Sequence, residues 1–401
     1  MAGGNKCILI SRSREKRGMG ELLDDKKVIH VSEATGWTGG LARLLELSRG
    51  LKDLGWIQWV ACRPESDLVV PTTKAGIKVL PLKVRQDYDF PSAWKLARFV
   101  AKEKIDILHA HHPRAHAICL MSKMILSSGD PNAAPILLVS RRVSFKVGGN
   151  PFSQFKYRSP MIDGYVAVAE SVKQIMADSG VSEEKIHVVR SGVDLSDFKP
   201  APPDAQVRRE LKIPDGRKIV LKIANFAPWK GQDVLLDAAE ILTARGVDAQ
   251  YVFAGRDTDG DDMRRLVDKR NLSDRVTCAG FRKDVPKLIS ISNVGVNSAV
   301  GGEGLSGALR ESLAMKIPVV ATDTAGNREL VKDSETGLLC PASDAAALAD
   351  KIAWTLEHAG ESAKMAQTGH AFVLREFSTE KSIADTHALY EKVIASRRLL
   401  S

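Results

Sequence analysis

The chain has 401 residues, of which 44% are hydrophobic and 27% charged, values that exclude a collagen, a coiled coil or a wholly disordered chain. The length predicts two domains. The net charge of +9 lies in the first half, because residues 1–200 hold 30 Lys and Arg against 21 Asp and Glu, whereas residues 201–401 hold 28 of each class. This asymmetry predicts an anionic partner for the first half.

The cysteines and the apolar runs indicate a reducing compartment. Five widely spaced cysteines without a C-x-x-C pair favour neither a disulfide framework nor a cysteine zinc site: Cys7, Cys62, Cys119, Cys278 and Cys340. The apolar run at 7–10 is too short for a signal peptide, and no stretch approaches 18 apolar residues. We therefore expect a cytoplasmic protein, with peripheral attachment to an anionic membrane left open.

Strand and helix patterns alternate along the first half. Residues 1–27 show no clear period and stay unassigned. The predicted strands that follow are 28–31, 57–61, 77–80, 105–109, 136–139, 164–168 and 186–189, and the predicted helices include 41–54, 92–104 and 171–179. Such alternation is typical of a parallel, doubly wound α/β sheet.

A proline-rich turn at 197–203 interrupts the pattern and predicts a domain boundary. The alternation then restarts with a helix at 232–245, strands at 219–223, 250–254, 276–279, 294–297 and 318–321, and a final helical segment at 357–400. The sequence thus predicts two similar α/β domains in series, 28–197 and 198–378. Ligands of such sheets bind at the carboxyl ends of the strands, and here also between the domains.

The stretch from Val300 to Leu330 carries the most specific signal. A strand ends near Asn297, a glycine-bearing loop follows, and 304–307 opens a helix. Free N–H groups at a helix start favour a phosphate, while the flanking carboxylates of Glu303 and Glu311 suit sugar and ribose hydroxyls. Taken alone, the two glutamates are equally compatible with structural roles, in which Glu303 caps the helix and Glu311 faces solvent.

This stretch resembles the donor-site signature of retaining glycosyltransferases of family 4 (glycosyl transferases group 1). Further segments match the family in order and spacing: Gly39-Gly40, 228–231, Gly255, 275–282, 318–323 and 326–331. The resemblance implies the GT-B fold, in which two Rossmann-like domains face each other across a cleft. It also implies that the C-terminal helix, within 379–401, crosses back to the first domain.

The resemblance assigns roles to individual residues. Lys230 would pair with the donor diphosphate, Glu311 would hold the ribose, and Glu303 and His111 would contact the donor sugar; Lys230, Glu303 and His111 are the predicted catalytic residues. The other predicted donor-binding residues are Gly39, Gly40, Asn225, Arg282, Gly304, Leu305, Ser306 and Gly307. The family works without a metal or other cofactor, and we expect none here, with a UDP-sugar as the favoured donor.

Asn225 departs from the family pattern. The family usually has an arginine five residues before the lysine, and this chain has Asn225 before Lys230. A second cation on the diphosphate is therefore missing or comes from elsewhere in the chain.

Four of the nine histidines lie close together in the sequence, at 109, 111, 112 and 116. On a strand, His109 and His111 share a face, so a metal-binding pair is conceivable, but no nearby carboxylate or cysteine completes a ligand set. His111 matches the family's active-site histidine. His109 is then a core residue, and His112 or His116 faces the acceptor. Solvated loop histidines are the alternative.

Basic residues and aromatics alternate without clear period over 141–158, a segment that we predict to be a loop. The basic residues are Arg141, Arg142, Lys146, Lys156 and Arg158, and the aromatics are Phe145, Phe152, Phe155 and Tyr157. The pattern predicts a surface for an anionic glycan or glycolipid acceptor, or for an anionic membrane. A solvated loop with its aromatics in the core is the alternative, and no nucleic-acid motif accompanies the charges.

The family resemblance implies a retaining, hexosyltransferase-type enzyme that moves a sugar from a nucleotide-diphosphate sugar to an acceptor. The acceptor it implies is a lipid-linked or lipopolysaccharide-type glycan of bacterial envelope synthesis. A GT-B-fold epimerase or phosphorylase is one alternative. A non-catalytic sugar-nucleotide-binding protein is another, favoured only by Asn225. A nucleic-acid binder is the weakest candidate.

Overall fold

The computed structural model describes residues 26–129, 134–148 and 151–399. The predictions for residues 1–25, including Cys7, lie outside these ranges. Within them, two parallel β-sheets, each flanked by helices, follow one another along the chain.

The first sheet has seven strands in the order β3-β2-β1-β4-β5-β6-β7. Its strands are β1 (Lys27–Ser32), β2 (Ile57–Cys62), β3 (Lys78–Pro81), β4 (Ile107–Ala110), β5 (Ile136–Arg141), β6 (Gly164–Ala167) and β7 (Ile186–Val188). The helices between them are α1 (Gly39–Asp53), α2 (Val69–Lys74), α3 (Phe90–Glu103), α4 (Pro113–Ser127), α5 (Pro151–Arg158) and α6 (Glu170–Asp178).

The second sheet has six strands in the order β10-β9-β8-β11-β12-β13. Its strands are β8 (Lys218–Ile223), β9 (Ala249–Ala254), β10 (Val276–Gly280), β11 (Val294–Asn297), β12 (Val319–Thr322) and β13 (Leu338–Cys340). Its helices are α7 (Ala205–Glu210), α8 (Gln232–Ala244), α9 (Asp261–Asp268), α10 (Val285–Ser290), α11 (Gly307–Ala314), α12 (Ala325–Leu330) and α13 (Ala345–Glu357).

Apolar runs make the central strands, since a parallel sheet with helices on both faces buries every side chain. All four residues of β4, of β11 and of β12 are buried. The two changes of strand order, β1 to β4 and β8 to β11, bring the loops after these strands to the carboxyl edge of each sheet. The predicted class of two doubly wound α/β domains is confirmed.

Two long helices end the described chain, α14 (Ala359–Glu376) and α15 (Thr379–Arg398). They are separated at Phe377-Ser378, so the single helical segment predicted for 357–400 is wrong in its continuity. Val193 and Ser378 form a parallel bridge there. Helix α15 then packs on the first domain, with Tyr390 and Ile394 buried in one cluster with Val28, Leu51 and Trp56. The predicted return of the C-terminal helix is confirmed.

Two further differences from the sequence prediction are short elements. The three-residue strand β13 was not predicted. The segment 141–158 is not one loop, because Arg141 ends β5 and residues 151–158 form α5.

Candidate functional site at the domain junction

The loop that precedes α11 touches the first domain directly. Val143 and Glu303 form an antiparallel bridge, and the Ser144 N–H donates to the Gly302 carbonyl at 3.4 Å. A Cβ added at Gly304 would lie 2.2 Å from the Arg142 carbonyl oxygen, so only glycine allows this approach. The predicted donor loop therefore lies at the junction of the two domains.

Lys230 and Glu303, which are 73 residues apart in the sequence, form an ion pair with Nζ 2.6 Å from Oε1. Lys230 ends a short 3₁₀ turn after β8, and Gly231 at φ 63° lets the chain turn into α8. Glu303 is only 8% exposed, and the Asn297 amide lies 3.4 Å from the same oxygen. Two residues predicted separately as catalytic are thus brought into contact.

Helix α11 begins where the sequence predicts an anion site. The Ser306 hydroxyl accepts the Leu309 N–H and caps the helix, and the Asn297 amide donates to that hydroxyl at 2.9 Å. The Glu311 carboxylate lies beside the first turn, 3.4 Å from where a Cβ on Gly307 would be. Burial raises the pKa of Glu311, against the opposing effect of Arg43 and Arg310. The predicted contact of Glu311 with the ribose stays a prediction.

The glycine pair of the first domain opens α1, where the Thr38 hydroxyl accepts the Leu41 N–H. Nothing lies within 4 Å of a Cβ built on Gly39. At Gly40 such a Cβ would lie 3.3 Å from His112 Nε2 and 3.8 Å from Arg142 Nη1. This glycine loop therefore borders the same junction as Arg142. We call Gly40, Arg142, Lys230, Glu303 and Gly304 the interdomain site.

The His111 ring faces the protein interior. Arg142 Nη2 donates to its Nδ1 at 3.0 Å, and its Nε2 lies 2.9 Å from His30 Nδ1. Because arginine only donates, Nε2 carries the proton of neutral His111 and donates to His30. Burial, reinforced by His109 and Arg142, keeps the pKa of His111 well below its usual range. Both ring nitrogens are thus engaged, and the predicted sugar contact of His111 stays a prediction.

The other histidines take different positions. His109 is buried and bonds to Tyr390 and Ser140, whereas His112 precedes α4 with its Nδ1 3.0 Å from the Ser32 hydroxyl. Burial, with a smaller effect of Arg142, lowers the pKa of His112 to about 4. His116 is fully buried against Tyr157, so the expectation that it faces an acceptor is wrong.

Three buried ring nitrogens have the spacing of a metal-binding group among the described residues. One ligand atom each of His30, His109 and His111 lies within 4.8 Å of the others. The Arg142 guanidinium on His111 disfavours a second cation at this position. The expectation that no metal is used stays a prediction.

Asn225 and Arg282 make contacts within the second domain. The Asn225 side-chain oxygen accepts the Arg256 N–H at 3.0 Å. The Arg282 guanidinium is held by the carboxylates of Glu210 and Asp284, which connect the loop after β10 to α7. Both carboxylates already pair with its guanidinium, and the predicted contact of Arg282 with the donor stays a prediction.

The predicted acceptor surface needs a correction. Arg141 and Lys156 are 7% and 5% exposed, so neither forms a surface. Arg141 donates to the Tyr157 hydroxyl and the Phe145 carbonyl, and Lys156 donates to the Pro113 carbonyl. Of the five predicted basic residues, only Lys146 and Arg158 are exposed. Charge alone gave no indication of this, because a long basic side chain with buried partners has the same composition as a solvated one.

Sequence reasoning missed several buried charges near the site. Lys222 in β8 is 2% exposed and donates to the Ser298 hydroxyl at 2.9 Å, and that hydroxyl donates to the Gly231 carbonyl. Arg43 and Arg310 donate to the Gly192 and Ser191 carbonyls, between the two sheets. A lysine within the apolar run 219–223 was a visible signal for Lys222. No sequence feature indicated that Arg43 and Arg310 lie near the site.

Comparison with known proteins covers both domains. Residues 37–197 match the family described as Glycosyltransferase Family 4, and residues 204–372 match Glycosyl transferases group 1. N-acetyl-alpha-D-glucosaminyl L-malate synthase of Bacillus anthracis is 26% identical over 312 residues, 77% of this chain and 80% of that protein. Phosphatidyl-myo-inositol mannosyltransferase of Mycolicibacterium smegmatis is 24% identical over 347 residues, 83% of this chain and 86% of that protein.

The crystal structure of Anabaena Alr3699/HepE in complex with UDP and glucose is similar to this chain with a TM-score of 0.80 and 18% identity, over 92% of this chain and 100% of that one. Among the described residues, no helix combines the length and apolarity needed to cross a bilayer. The two family matches span both sheets, and the fold agrees with them. The chain therefore belongs to the family 4 glycosyltransferases with the GT-B fold.

Proposed function

We propose that the protein transfers a hexose from a nucleoside diphosphate sugar, with UDP as the favoured nucleotide, to an anionic glycan or glycolipid, with retention of the anomeric configuration. The observation that carries this proposal is the meeting of Lys230, Glu303 and the two glycine loops at one junction between domains. A diphosphate fits there because glycines allow close backbone approach and helix starts offer N–H groups.

Charge stabilisation is the main contribution of the chain to this reaction. The bond between the sugar C1 and the β-phosphate oxygen breaks, while a bond from the acceptor oxygen to C1 forms on the same face. The acceptor proton passes to the departing phosphate oxygen. Negative charge grows on that phosphate, where the Lys230 ammonium and the N–H groups at the start of α11 stabilise it most.

The ion pair between Lys230 and Glu303 prepares this site before the donor arrives. It fixes the ammonium at 2.6 Å from a carboxylate that is almost buried, so little reorganisation is needed when the diphosphate binds. Glu303 then accepts hydrogen bonds from the sugar hydroxyls, and Glu311 accepts those of the ribose.

For the acceptor side, an exposed aromatic patch on the first domain replaces the predicted basic surface. Tyr88, Phe90, Trp94 and Phe155 are 59%, 59%, 48% and 56% exposed, and Tyr88 contacts the Phe152 ring at 4.3 Å between centroids. Arg98 stacks on Trp94 at 4.8 Å. Exposed aromatics beside basic groups suit an anionic lipid surface, as does the lipid in the name of the M. smegmatis relative. We propose peripheral attachment through this patch, on the inner face of the membrane.

Product analysis separates this function from its alternatives. The purified protein is incubated with UDP- and GDP-sugars, with and without lipid-linked glycan, and the anomeric signal of the product is followed by NMR. We expect slow donor hydrolysis alone, transfer with acceptor, and the anomer of the donor in the product. Lys230→Ala abolishes both reactions, whereas Lys218→Ala, at an exposed lysine that begins the preceding strand β8, leaves them unchanged.

Three results contradict the proposal. Conversion of the donor to another sugar nucleotide without acceptor indicates an epimerase, donor binding without turnover indicates a binding protein, and the opposite anomer excludes retention.

A further inference from the structure

Arg142 follows β5 and touches three predicted site segments at once. Its guanidinium lies 3.0 Å from His111 Nδ1 and close to Gly40, and its carbonyl oxygen packs against Gly304. The glycine loop of one domain and the donor loop of the other thus meet around a single side chain. The residue is only partly buried, so a ligand between the loops reaches it.

The charge of Arg142 has no counter-ion in the described part of the chain. Its hydrogen bonds go to His111, through the ring nitrogen and the carbonyl at 3.3 Å, and it takes part in no salt bridge. Burial and the neighbouring Arg43 lower its pKa to about 10, so it stays charged at neutral pH. A partly buried cation beside a second cation is costly, and an arriving anion offsets that cost.

The turn after β8 supplies only one cation for a diphosphate, Lys230, among the described residues. Asn225 stands where the family resemblance places an arginine, and its side-chain oxygen is used by the Arg256 N–H. Lys230 is the cation that remains on the turn after β8, and it already shares its charge with Glu303. A diphosphate carries about two negative charges at neutral pH, so a further cation is required.

We propose that Arg142 supplies the second cation for the donor diphosphate, from the first domain, in place of the arginine that Asn225 replaces. The donor is then held by one cation from each domain, Arg142 and Lys230. Since the planar guanidinium donates two parallel hydrogen bonds to a phosphate, it also orients the leaving group. This inference rests on the proposed function.

Calorimetric titration of UDP and uridine tests the inference, because the two ligands differ only in the diphosphate. We expect Arg142→Gln to lower UDP affinity about 10- to 100-fold, as loss of a charge-assisted contact does, and uridine affinity less than twofold. Arg142→Lys keeps the charge and loses about 3- to 10-fold. Arg49→Gln, an exposed arginine of α1, leaves both affinities unchanged.

Introducing the family arginine at position 225 gives a second, independent test. In the Arg142→Gln protein, Asn225→Arg should raise UDP affinity about 10-fold, since it returns a cation to the diphosphate from the other side. Thermal midpoints of all variants are measured in parallel, and Arg142→Lys serves if Arg142→Gln unfolds. A purely structural role lowers the midpoint and uridine affinity together, which contradicts the inference.

Two further outcomes overturn it and are distinguishable. If wild-type protein binds UDP, Arg142→Gln binds it equally well and only the acceptor KM rises, Arg142 serves the acceptor and the inference is wrong. If wild-type protein binds no nucleotide at all, the proposed function itself fails.

Discussion

Lys222 lies beneath the site as a buried lysine in the middle of β8, and replacing it should stabilise the protein. Burial, with a smaller effect of the nearby Lys230, lowers its pKa from 10.5 to about 7. That difference corresponds to ~5 kcal/mol of preference for the neutral amine in the folded state. Within the described part of the chain, this amine makes one hydrogen bond, to the Ser298 hydroxyl.

The sign of the pH dependence follows from proton binding. The unfolded chain binds a proton that the folded state resists, so ionised Lys222 imposes its full cost below pH 7. Between pH 7 and 10.5 the cost falls by ~1.4 kcal/mol per pH unit. Lys222→Met removes the cost and loses one hydrogen bond of ~1 kcal/mol. We therefore expect a net gain of ~4 kcal/mol at pH 6 and ~1 kcal/mol at pH 9.

Thermal unfolding at pH 6, 7, 8 and 9 measures this gain, since a two-domain chain does not justify a two-state extrapolation. At ~2 °C per kcal/mol, the Lys222→Met midpoint lies ~8 °C above wild type at pH 6 and ~2 °C above it at pH 9. Lys218→Met, at the exposed start of the same strand, shifts the midpoint little at any pH. A variant midpoint at or below wild type at pH 6, or a difference that does not shrink with rising pH, refutes the reasoning.

The remaining predictions concern the domain junction, the histidines and the membrane. Gly304→Ala places a Cβ 2.2 Å from the Arg142 carbonyl oxygen and should lower kcat/KM at least ~10-fold, because it separates the two loops. A Cβ at Gly301 has nothing within 4 Å, so Gly301→Ala should leave kcat/KM unchanged. Equal activity of the two variants contradicts the geometry. Burial lowers the pKa of His187. It also lowers the pKa of five other histidines, to about 3 for His30, about 4 for His112 and well below the usual range for His109, His111 and His116. Each takes up a proton on unfolding, so stability should fall by ~1.4 kcal/mol per histidine for every pH unit below 6.5. His116→Phe should reduce the pH dependence of stability by one proton, whereas His358→Phe, at an exposed histidine, should not. Thermal midpoints measured from pH 6.5 to 5 test this. A midpoint that does not change over this pH range would be inconsistent with neutral buried rings. The double variant Phe90→Ser, Phe155→Ser should reduce co-sedimentation with phosphatidylglycerol vesicles several-fold. Val70→Ser, at an equally exposed residue of α2, should not reduce it. Equal loss in both proteins, or no vesicle binding by the wild type, argues against membrane attachment through the aromatic patch.

Local patterns were enough to predict the two sheets and the motif loops. Each strand is buried between helices and therefore gives a short β-branched run between helical periods. Every predicted strand is present. Gly40, Lys230 and Glu303 were singled out by their resemblance to the family motifs, and their predicted contacts with a phosphate and a sugar stay predictions. The contact between Lys230 and Glu303, which are 73 residues apart, was not predicted, since no local pattern measures it.

The sequence did not predict the burial and the positions of the basic residues. Strand β5 runs to Arg141, two residues beyond the predicted end, and this extension alone moves Arg142 from a loop to the carboxyl edge of the sheet. Arg141 and Lys156 are buried because tyrosine and backbone oxygens far along the chain accept their hydrogen bonds. Partners that are set by tertiary packing leave no trace in charge or spacing.

The most direct test of the central claim is a calorimetric titration of UDP, GDP and their sugars into wild-type protein and Lys230→Ala. The account predicts that the wild type binds one nucleotide series and that Lys230→Ala binds its diphosphate at least ~10-fold more weakly, because Lys230 is its ion-pair partner from the second domain. Lys218→Ala should bind as the wild type does. If wild type and Lys230→Ala bind every nucleotide equally poorly, the junction between the two domains is not a donor site.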